Sequence, residues 1–411
     1  MSRIVLGVAG GIAAYKACEL LRRLTEAGHD VTVVPTPAAL DFVGATTWAA
    51  LSGKPIRTQV TDDAHEVPHV RLGRTTDLVV VAPATADLIA RAAAGRADDL
   101  LTNVLLTSTA PLLLCPAMHT EMWLHPATQD NVATLRRRGA IVLDPAVGRL
   151  TGADSGPGRL PEPDDIAAVA SALLDGGTAK AARRRDLAGR RVVISAGGTR
   201  EPLDPVRFLA NASSGRMGIA LARAAALRGA GVTLVSAGLS DPAPSGCTVV
   251  PVVTTEDLDA AMREHAGTAD LIVMAAAPAD FTAEHPSGGK LSKQTAVAAD
   301  GSLTVRLVQT PDVLAGLVRA RTQAGSRQVI VGFAAETPEP GASLAEIGEA
   351  KRSRKGCDLL VVNDVTGGAV FGQADTAVTI VGGSEPVAFA GSKQDVAHRI
   401  LDRAGLLLAA G

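Results

Sequence analysis

Residues 3–16 read RIVLGVAGGIAAYK, and residues 191–199 read RVVISAGGT. In both stretches a short apolar run passes directly into a turn that contains two adjacent glycines. Helical segments follow at Ala13–Ala27 and Gly215–Arg228, and each ends at a glycine suited to the left-handed position after a helix. Short apolar runs then alternate with helical stretches, a pattern typical of parallel sheets that are covered on both faces. The sequence therefore predicts an α/β protein with two doubly wound, Rossmann-like parallel-sheet domains.

The length of 411 residues also favours two domains or more, since one domain usually has roughly 100–200 residues. Residues 176–189 contain a Gly-Gly pair and the run Arg183–Arg185, without apolar periodicity. We interpret the arginine run as a solvated segment rather than a phosphate site. The predicted boundaries are a first domain at 1–175, a linker at 176–188 and a second domain at 189–411.

The charge and the apolar pattern exclude several kinds of partner. A formal net charge of −2 gives no electrostatic basis for binding nucleic acid or an anionic membrane. No apolar run is long enough to span a bilayer, and the amino terminus enters a strand rather than a signal peptide. The four cysteines have neither metal-site spacing nor a disulfide framework. We therefore expect a cytoplasmic protein whose partners are small molecules.

The two glycine turns first suggest a two-domain NAD(P) enzyme, but the dinucleotide fingerprint is absent. The first turn does not match G-x-G-x-x-G, and an insertion separates Gly197 and Gly198 from the helix that follows. The second strand of each half ends at Pro35-Thr36 or Ser236-Ala237, where a dinucleotide site needs an acidic residue for the ribose. A mononucleotide phosphate at the start of the first helix fits better. The alternative is a turn that only packs a helix on a strand.

Three further motifs of the first half follow predicted strands or lie just before them. They are HVRL from His69, PATADL from Pro83 and PAMHTEMW from Pro116. Loops at the carboxyl ends of parallel strands converge, so His69, Pro83–Thr85 and Met118–Trp123 are predicted to surround one pocket. His69 is a candidate general base or carboxylate-orienting group, and the alternative is a surface histidine beside a strand.

GVAGGIAAYKA, HVRL, VAPATADL, AGRADDLLT and PAMHTEMW, in this order, resemble the flavin-dependent cysteine decarboxylases, above all the phosphopantothenoylcysteine decarboxylases. The likeness covers about Ser2–Ile166. It implies FMN as cofactor, an oxidative decarboxylation and a catalytic role for His69. The positions that match flavin contacts or neighbour them are Gly10, Gly11, Ile12, Thr36, Pro83, Ala84, Thr85 and Met118.

Two positions depart from the family pattern. His119 stands where the family has an asparagine that holds the substrate carboxylate, and an imidazole can still donate a hydrogen bond. Gly152 stands in the segment 148–160, which resembles a substrate flap, at the place of a cysteine that helps to reduce the intermediate. Another group or water must then supply the proton, and His119 is a candidate. The alternatives are a flavin-binding regulatory half with impaired decarboxylation, and a non-enzymatic flavoprotein.

The second half combines glycine turns, lysines and strand-end acids, as amide synthesis through a nucleotide requires. A carboxylate must attack an α-phosphate, which calls for phosphate cradles, cations for the leaving charge and usually a divalent metal. The turn Ser213–Gly215 lies at a predicted helix start and is a suitable cradle. Taken alone, Lys351 and Lys355 resemble solvated charges and Phe333 resembles a core residue.

Six ordered segments, beginning with SAGGTREPLDPVRFLANASSGRMG (195–218), resemble the phosphopantothenate–cysteine ligases over about Leu187–Leu401. The resemblance implies CTP, an acyl-cytidylate intermediate, Mg²⁺ at Asp280, and action of Asn211 and Lys290 in catalysis. The positions assigned to CTP are Gly198, Ser213, Ser214, Gly215, Ala275, Ala276, Ala277, Asp280, Lys290, Pro311, Asp312, Val313, Leu314, Phe333, Lys351 and Lys355.

Together the two resemblances imply a bifunctional enzyme of coenzyme A biosynthesis. The second half joins 4'-phosphopantothenate to cysteine with CTP, and the first half decarboxylates the product to 4'-phosphopantetheine. The families imply trimeric decarboxylase units and dimeric ligase units, so that the homo-oligomer expected here extends to a dodecamer.

Overall fold

The apolar run at the amino terminus forms strand β1 (Arg3–Val8) in a computed structural model that describes residues 1–62, 67–149, 155–174, 176–292, 302–338, 342–366 and 375–410. Five of the six residues of β1 are buried. The chain divides into two compact units, Met1–Arg185 and Asp186–Gly411. This division falls inside the segment for which the sequence predicted a linker.

The first unit has a five-stranded parallel sheet in the order β2-β1-β3-β4-β5, with a separate antiparallel hairpin of β6 and β7. Its other strands are β2 (Asp30–Pro35), β3 (Leu78–Ala84), β4 (Leu112–Pro116), β5 (Ile141–Val142), β6 (Ala146–Arg149) and β7 (Ser155–Arg159). The chain leaves β1 toward β2 on one side and later adds β3 on the other. Ligands of open α/β sheets bind at such a switch point, beyond the carboxyl ends of the strands.

Helices cover both faces of this sheet. They are α1 (Ala14–Glu26), α2 (Ala45–Ser52), α3 (Pro68–Thr75), α4 (Ala86–Ala94), α5 (Leu100–Thr107), α6 (Thr120–Leu124), α7 (Pro126–Arg137), α8 (Pro163–Leu173) and α9 (Gly176–Arg184), with a 3₁₀ turn at Pro37–Asp41. The helix α1 shows why they form. Its buried positions, Ala14, Ala17, Leu20, Leu21 and Leu24, recur at helical spacing and face the sheet.

The helix α9 was not expected, because the sequence analysis found no apolar period in this segment. Thr178 and Ala179 are nevertheless buried, as is Ala182 one helical turn further on, and α9 packs against α8. Small residues of this kind carry little apolar signal, so their burial comes from tertiary contact. Arg183 and Arg184 are exposed, as predicted for the arginine run, but Arg185 is half-buried.

The second unit has an eight-stranded sheet in the order β12-β11-β8-β13-β16-β17-β18-β19. The first six of these strands run parallel, and β18 and β19 join in antiparallel pairs. Two small antiparallel pairs, β9 with β10 and β14 with β15, stand apart. The switch point lies between β8 and β13. The strands are β8 (Arg191–Gly197), β9 (Arg200–Pro202), β10 (Phe208–Ala210), β11 (Gly231–Ala237), β12 (Cys247–Pro251), β13 (Leu271–Met274), β14 (Phe281–Ala283), β15 (Leu307–Gln309), β16 (Val329–Glu336), β17 (Leu359–Asp364), β18 (Asp375–Val381) and β19 (Val387–Ser392).

Five helices belong to the described part of this unit. They are α10 (Arg216–Leu227), α11 (Thr255–Ala266), α12 (Val313–Ala324), α13 (Leu344–Lys355) and α14 (Lys393–Ala410). The helices α10 and α14 pack against each other, as do α11 and α12. Neither unit has a helix, within the residues described, that is long and apolar enough to cross a bilayer.

One buried arginine ties the start of the second unit to its last helix. The side chain of Arg228 is 1% exposed. Its guanidinium donates to both carboxylate oxygens of Asp186, to Asp402 at 2.8 Å and to the carbonyl oxygen of His398 at 3.2 Å. A buried charge needs such partners, because each ion loses several kcal/mol of solvation on burial.

Candidate active sites

A cavity of about 1040 Å³ lies at the carboxyl ends of β1, β2, β3 and β4 in the first unit. The structure brings the following predicted positions together along its wall: Gly10, Gly11, Ile12, Thr36, Pro83, Thr85, Met118 and His119. Ala84, between two of them, is buried and does not line the cavity. The size suits a cofactor, since ligand cavities usually measure about 300–1,000 Å³.

The wall of this cavity fits a flavin mononucleotide. The hydroxyl oxygen of Thr36 is buried and has no hydrogen-bond partner among the residues described. The first turn of α1 faces the same space, and no side chain caps its amides. An added Cβ on Gly10 would meet the Cβ of Ala38 at 2.6 Å, so only glycine allows this close turn. A phosphate at the helix start and an apolar ring against Ile12 and Met118 match these features.

The carboxylates along the same cavity hold an arginine in place. Arg91 donates to Asp87 at 3.0 Å and to Asp98 and Asp99 at 2.8 Å each. The side chain of Asp99 also caps α5 by accepting the amide of Thr102 at 2.8 Å. Arg91 satisfies the charges of Asp98 and Asp99 in the AGRADDLL motif. The motif therefore forms a rigid corner of the cavity.

His69 does not line the cavity. It belongs to α3, and its carbonyl oxygen accepts the hydroxyl of Thr107 on α5 at 2.9 Å. Its Nδ1 is buried without a hydrogen-bond partner in the described ranges. The structure therefore does not bring His69 together with the other predicted positions at this cavity. Trp123 is not among them either, since it is 7% exposed and packs in the core.

His119 does line the cavity, as an exposed residue just before α6. The neighbouring amide of Met118 donates to the carbonyl oxygen of Gly158 at 3.0 Å, which attaches the β6–β7 hairpin to this loop. Gly156 packs so closely on Thr120 that an added Cβ would lie 2.5 Å from its hydroxyl oxygen. The hairpin is therefore anchored beside the cavity. Gly152 lies outside the described residues.

A second cavity, of about 570 Å³, lies at the carboxyl ends of β8, β13, β16 and β17 in the second unit. Every position predicted for CTP lines it except Gly198 and Lys290, and Asn211 lines it as well. Phe333 is half-buried, with its neighbours in the core and its side chain on the cavity wall.

Two glycines shape the back of this cavity. Gly197 has φ +88°, and an added Cβ would lie 2.1 Å from the carbonyl oxygen of Ala237. An added Cβ on Gly198 would lie 2.8 Å from the carbonyl oxygen of Asn211, so Gly198 lies directly behind the lining residues. The side-chain Nδ2 of Asn211 donates to the carbonyl oxygen of Pro278 at 2.8 Å. The two loops that carry the predicted site are thus joined beside the cavity.

A buried polar network supports the loop between β13 and β14. Thr199, Glu201 and Thr255 are each at most 3% exposed. One carboxylate oxygen of Glu201 accepts both the amide and the hydroxyl of Thr255 at 2.8 Å, and the hydroxyls of Thr199 and Thr255 lie 2.9 Å apart. The amide of Ala279 donates to the Thr199 hydroxyl at 2.8 Å. This network fixes the backbone next to Asp280, and no sequence motif indicated it.

The two lysines of α13 are paired with carboxylates. Lys351 bonds to Glu336, and Lys355 bonds to Asp312. Burial alone would raise the pKa of Asp312, but Lys355 and the amide of Ala315 hold the pKa of this carboxyl below its usual value. The alternative of freely solvated lysines is therefore wrong, since both form ion pairs at the cavity wall.

Asp280 and Lys290 are both exposed, but only Asp280 lines the cavity. The sequence suggested that Asp280 ends a strand. In the structure it lies between β13 and β14. The chain next to Lys290 is anchored by Asp204, which accepts the amide of Leu291 at 3.2 Å. The described residues include no cluster of three or more metal-binding side chains.

Asp204 itself is strongly stabilised as a carboxylate. Its side chain has no exposed surface, and burial alone would raise its pKa. The amides of Val206, Arg207 and Leu291 and the Arg207 guanidinium outweigh burial and lower the pKa to about 2. Hydrogen bonds to the charged form act in this direction.

Six polar residues on the wall of the second cavity were not predicted from the sequence. They are Arg216, Gln309, Thr310, Asn363, Thr376 and Lys393. Arg216 lies in the segment 195–218 that carries the resemblance, whereas Thr376 lies on β18 and Lys393 begins α14, both far from it in sequence.

Both units match known families. A family described as "Flavoprotein" matches residues 1–174, and one described as "DNA/pantothenate metabolism flavoprotein C-terminal domain" matches residues 187–406. The coenzyme A biosynthesis bifunctional protein CoaBC of Mycobacterium tuberculosis is 55% identical over 407 residues, covering 97% of this chain and 95% of that protein. CoaBC of Escherichia coli is 42% identical over 366 residues, covering 89% and 86%. A crystal structure of the C-terminal domain of a CoaBC protein is 30% identical, with a TM-score of 0.45, and covers 55% of this chain and all of that domain.

The fold and the two matches define a flavoprotein unit followed by a pantothenate-metabolism unit. The chain belongs to the family of bifunctional coenzyme A biosynthesis proteins, CoaBC. The prediction of a bifunctional enzyme with a decarboxylase half and a ligase half is thereby confirmed. A non-enzymatic flavoprotein does not account for the match over the second half.

Proposed function

We propose that the second unit joins 4'-phosphopantothenate to cysteine at the expense of CTP, and that the first unit decarboxylates the product to 4'-phosphopantetheine. The observation that carries this proposal is the convergence of Asn211 and nearly all predicted CTP positions on one cavity. These residues come from five separate stretches of sequence, which share no reason to meet other than the fold and a common ligand.

The ligase reaction has two steps. An oxygen of the substrate carboxylate attacks the α-phosphorus of CTP, and pyrophosphate leaves. The amine of cysteine then attacks the acyl carbon, loses a proton and displaces CMP. Ser213–Gly215 is the proposed phosphate cradle, and Asn211 the proposed contact to the acyl-cytidylate. Phe333, Pro311–Leu314 and the paired lysines of α13 are the proposed nucleoside contacts.

Mg²⁺ belongs to this proposal through Asp280. A magnesium ion usually takes one or two carboxylates and completes its shell with water and substrate phosphates. A single carboxylate at the cavity therefore suffices when CTP is bound. Lys290 is proposed to contact the phosphates from its own chain segment beside the cavity. Asp204 anchors this segment by accepting the amide of Leu291.

In the first unit, Thr36 and the start of α1 are proposed to hold the FMN phosphate, and Ile12 and Met118 to contact its ring. When bound, the flavin supplies the oxidising capacity that an oxidative decarboxylation needs. His119, which lines this cavity, is proposed to donate a hydrogen bond to the substrate carboxylate. His69 is the proposed proton-transfer residue.

Because His69 is not among the residues that line the cavity, the same proposal includes a homo-oligomer. A residue that acts on the substrate without lining its own cavity has to meet it from another copy of the chain or after a rearrangement. A larger assembly, up to a dodecamer, is included in this expectation. The protein is proposed to be cytoplasmic, because all four cysteines are free thiols.

The test is a product assay. The purified protein is incubated with 4'-phosphopantothenate, cysteine, CTP and magnesium, and the products are identified by mass. We expect CMP, pyrophosphate and 4'-phosphopantetheine. Accumulation of 4'-phosphopantothenoylcysteine would instead support the alternative of an impaired decarboxylase half. That alternative is considered because position 152 is a glycine instead of the family's cysteine. Absence of CMP would overturn the ligase proposal.

A further inference from the structure

The backbone of His69 is attached to α5 by a hydrogen bond between distant parts of the sequence. The hydroxyl of Thr107, the last residue of α5, donates to the carbonyl oxygen of His69 at 2.9 Å. The same hydroxyl lies 3.0 Å from the carbonyl oxygen of Asn103 and 3.2 Å from that of Val104. These two longer contacts are the ones that a threonine commonly makes within its own helix. The contact with His69 is different, because it joins α5 to α3.

A glycine brings α3 into direct contact with the same threonine. Gly73 is buried, and an added Cβ would lie 2.3 Å from the hydroxyl oxygen of Thr107 and 2.9 Å from its carbonyl carbon. Gly73 follows His69 by one helical turn, so the two residues lie on the same face of α3. This face therefore rests on Thr107, and any side chain at position 73 would push the two helices apart.

The helix α5 is itself fixed at its other end, at the wall of the first cavity. Its N-cap Asp99 lines the cavity and is paired with Arg91 at 2.8 Å. Leu100 and Leu101, which follow, are at most 1% exposed. The eight residues of α5 span about 12 Å. The helix thus holds α3 at a set distance from the corner of the cavity.

The imidazole of His69 has little else to orient it. Its Nδ1 is buried without a hydrogen-bond partner in the described part of the chain, and the residue does not line the cavity of its own unit. Its direction therefore depends on the backbone that carries it. A proton-transfer group has to come within about 2.6–3.2 Å of the atom that it serves. A displacement of about 1 Å can lower the rate on the order of 10²-fold.

We propose that Thr107 is a positioning residue for the decarboxylation. Its hydroxyl fixes the carbonyl of His69, and its contact with Gly73 fixes the separation of α3 from α5. Thr107 does not line the cavity, so it acts on the substrate only through His69. The inference rests on the proposed role of His69 in proton transfer.

The first test removes the hydroxyl and keeps the shape of the side chain. Decarboxylation of 4'-phosphopantothenoylcysteine is measured with the full-length protein loaded with FMN, for wild type, Thr107→Val and Thr107→Ser. We expect Thr107→Val to lower kcat by about 3–10-fold, the range for one net hydrogen bond. KM and the FMN content should stay unchanged, because neither substrate nor cofactor contacts Thr107. Thr107→Ser keeps the donor and should recover most of the rate.

The second test addresses the contact between the helices. Gly73→Ala should lower kcat by about 10²-fold, because α3 has to move by roughly 1 Å to accept the added methyl group. The double variant Gly73→Ala/Thr107→Ala lacks the hydroxyl oxygen that the methyl group meets first. Its loss should therefore be smaller than the product of the two single losses. Losses that multiply would overturn the direct contact.

Thr75→Val is the matched control, because the Thr75 hydroxyl donates only within α3, to the carbonyl oxygen of Arg71 at 2.9 Å. It should leave kcat unchanged, and the ligase activity of the same chain should be unchanged in every variant. An unchanged kcat in Thr107→Val, an equal loss in Thr75→Val, or a loss proportional to FMN content would overturn the positioning role. Thermal unfolding identifies misfolded variants, and Thr107→Ala replaces Thr107→Val if the latter is unstable. Normal decarboxylation by His69→Asn would instead overturn the proposed role of His69 itself.

Discussion

The cavity beside β1 and the cavity beside β8 occupy the same place in their sheets, yet their walls differ in charge. In the first, Arg91 is surrounded by three carboxylates, and the predicted proton-transfer residue His69 is elsewhere. In the second, the predicted catalytic Asn211 lies on the wall, with cations at both ends. One fold position can therefore serve as a cofactor cradle or as a complete substrate site.

This difference follows from what each ligand demands of the protein. A flavin carries its own reactive ring, so the protein has mainly to hold a phosphate and an apolar plane. A nucleotide that is broken during the reaction requires charged groups where its leaving charge develops. The contrast predicts that the two halves respond differently to the loss of single side chains.

The largest effects should separate the two activities completely. His69→Asn should lower decarboxylation by roughly 10²–10⁴-fold, the range for loss of a general acid or base, and leave CTP-dependent ligation unchanged. Asn211→Ala should lower CTP-dependent ligation and leave decarboxylation unchanged. Mass analysis of the products distinguishes accumulated 4'-phosphopantothenoylcysteine from an absence of CMP. If His69→Asn decarboxylates normally, the proton must come from elsewhere, and His119→Ala becomes the next variant.

The next effect tests how tightly the second glycine turn is built. Gly197→Ala should destabilise the second unit by about 2–5 kcal/mol, from a left-handed backbone and from overpacking against the carbonyl of Ala237. Gly189→Ala is the matched control, because Gly189 has φ +77° with no atom within 4 Å of an added Cβ. It should cost only about 1–2 kcal/mol. Calorimetric unfolding measures both, and equal destabilisation would contradict the packing argument.

A smaller effect is expected from the Glu201 network, which has no counterpart among the contacts described for the first glycine turn. Thr255→Val leaves the buried carboxylate without a hydroxyl donor and should cost about 1–3 kcal/mol of stability. It should also lower the ligase kcat more than it changes the KM for CTP, because the loop at Ala279 loses its fixed position. Thr255→Ser keeps the hydroxyl and should retain most of the rate. A kcat that Thr255→Val leaves intact would show that the network is purely structural.

The smallest effect concerns the pH dependence of stability at Asp204, which anchors the segment that carries Lys290. The pKa of Asp204 is about 2 in the folded protein against an ordinary value of 3.8, so folding favours its charged form. This contribution to stability is present above about pH 4 and is lost as the pH falls toward 2. The stability difference between wild type and Asp204→Asn should therefore be constant at pH 5–7 and shrink on acidification. Thermal unfolding across this range tests it, and a gap that is independent of pH would contradict the assignment.

The sequence predicted the sheets well because apolar runs and glycine turns are local signals. The two α/β domains and their parallel strands follow from them, whereas the antiparallel strands β18 and β19 of the second sheet were not predicted. Contacts that depend on side-chain direction were not accessible in the same way. The motif HVRL identified His69, but spacing along the chain does not encode that His69 lies on α3 outside the residues that line the cavity. Lys393 reaches the cavity only because β18 and β19 reverse direction before α14, and nothing near it in sequence predicts that reversal.

The bonds of Arg228 also determine where the second unit can be cut out as an independent fragment. A fragment that starts at Asp186 keeps every described partner of this guanidinium, whereas one that starts at Gly189 removes the carboxylate that accepts two of its hydrogen bonds. The shorter fragment would begin only three residues later, in front of the first strand of the sheet, and yet carry a half-satisfied charge in its interior. The autonomy of the ligase half is thus set by a few residues that precede its sheet.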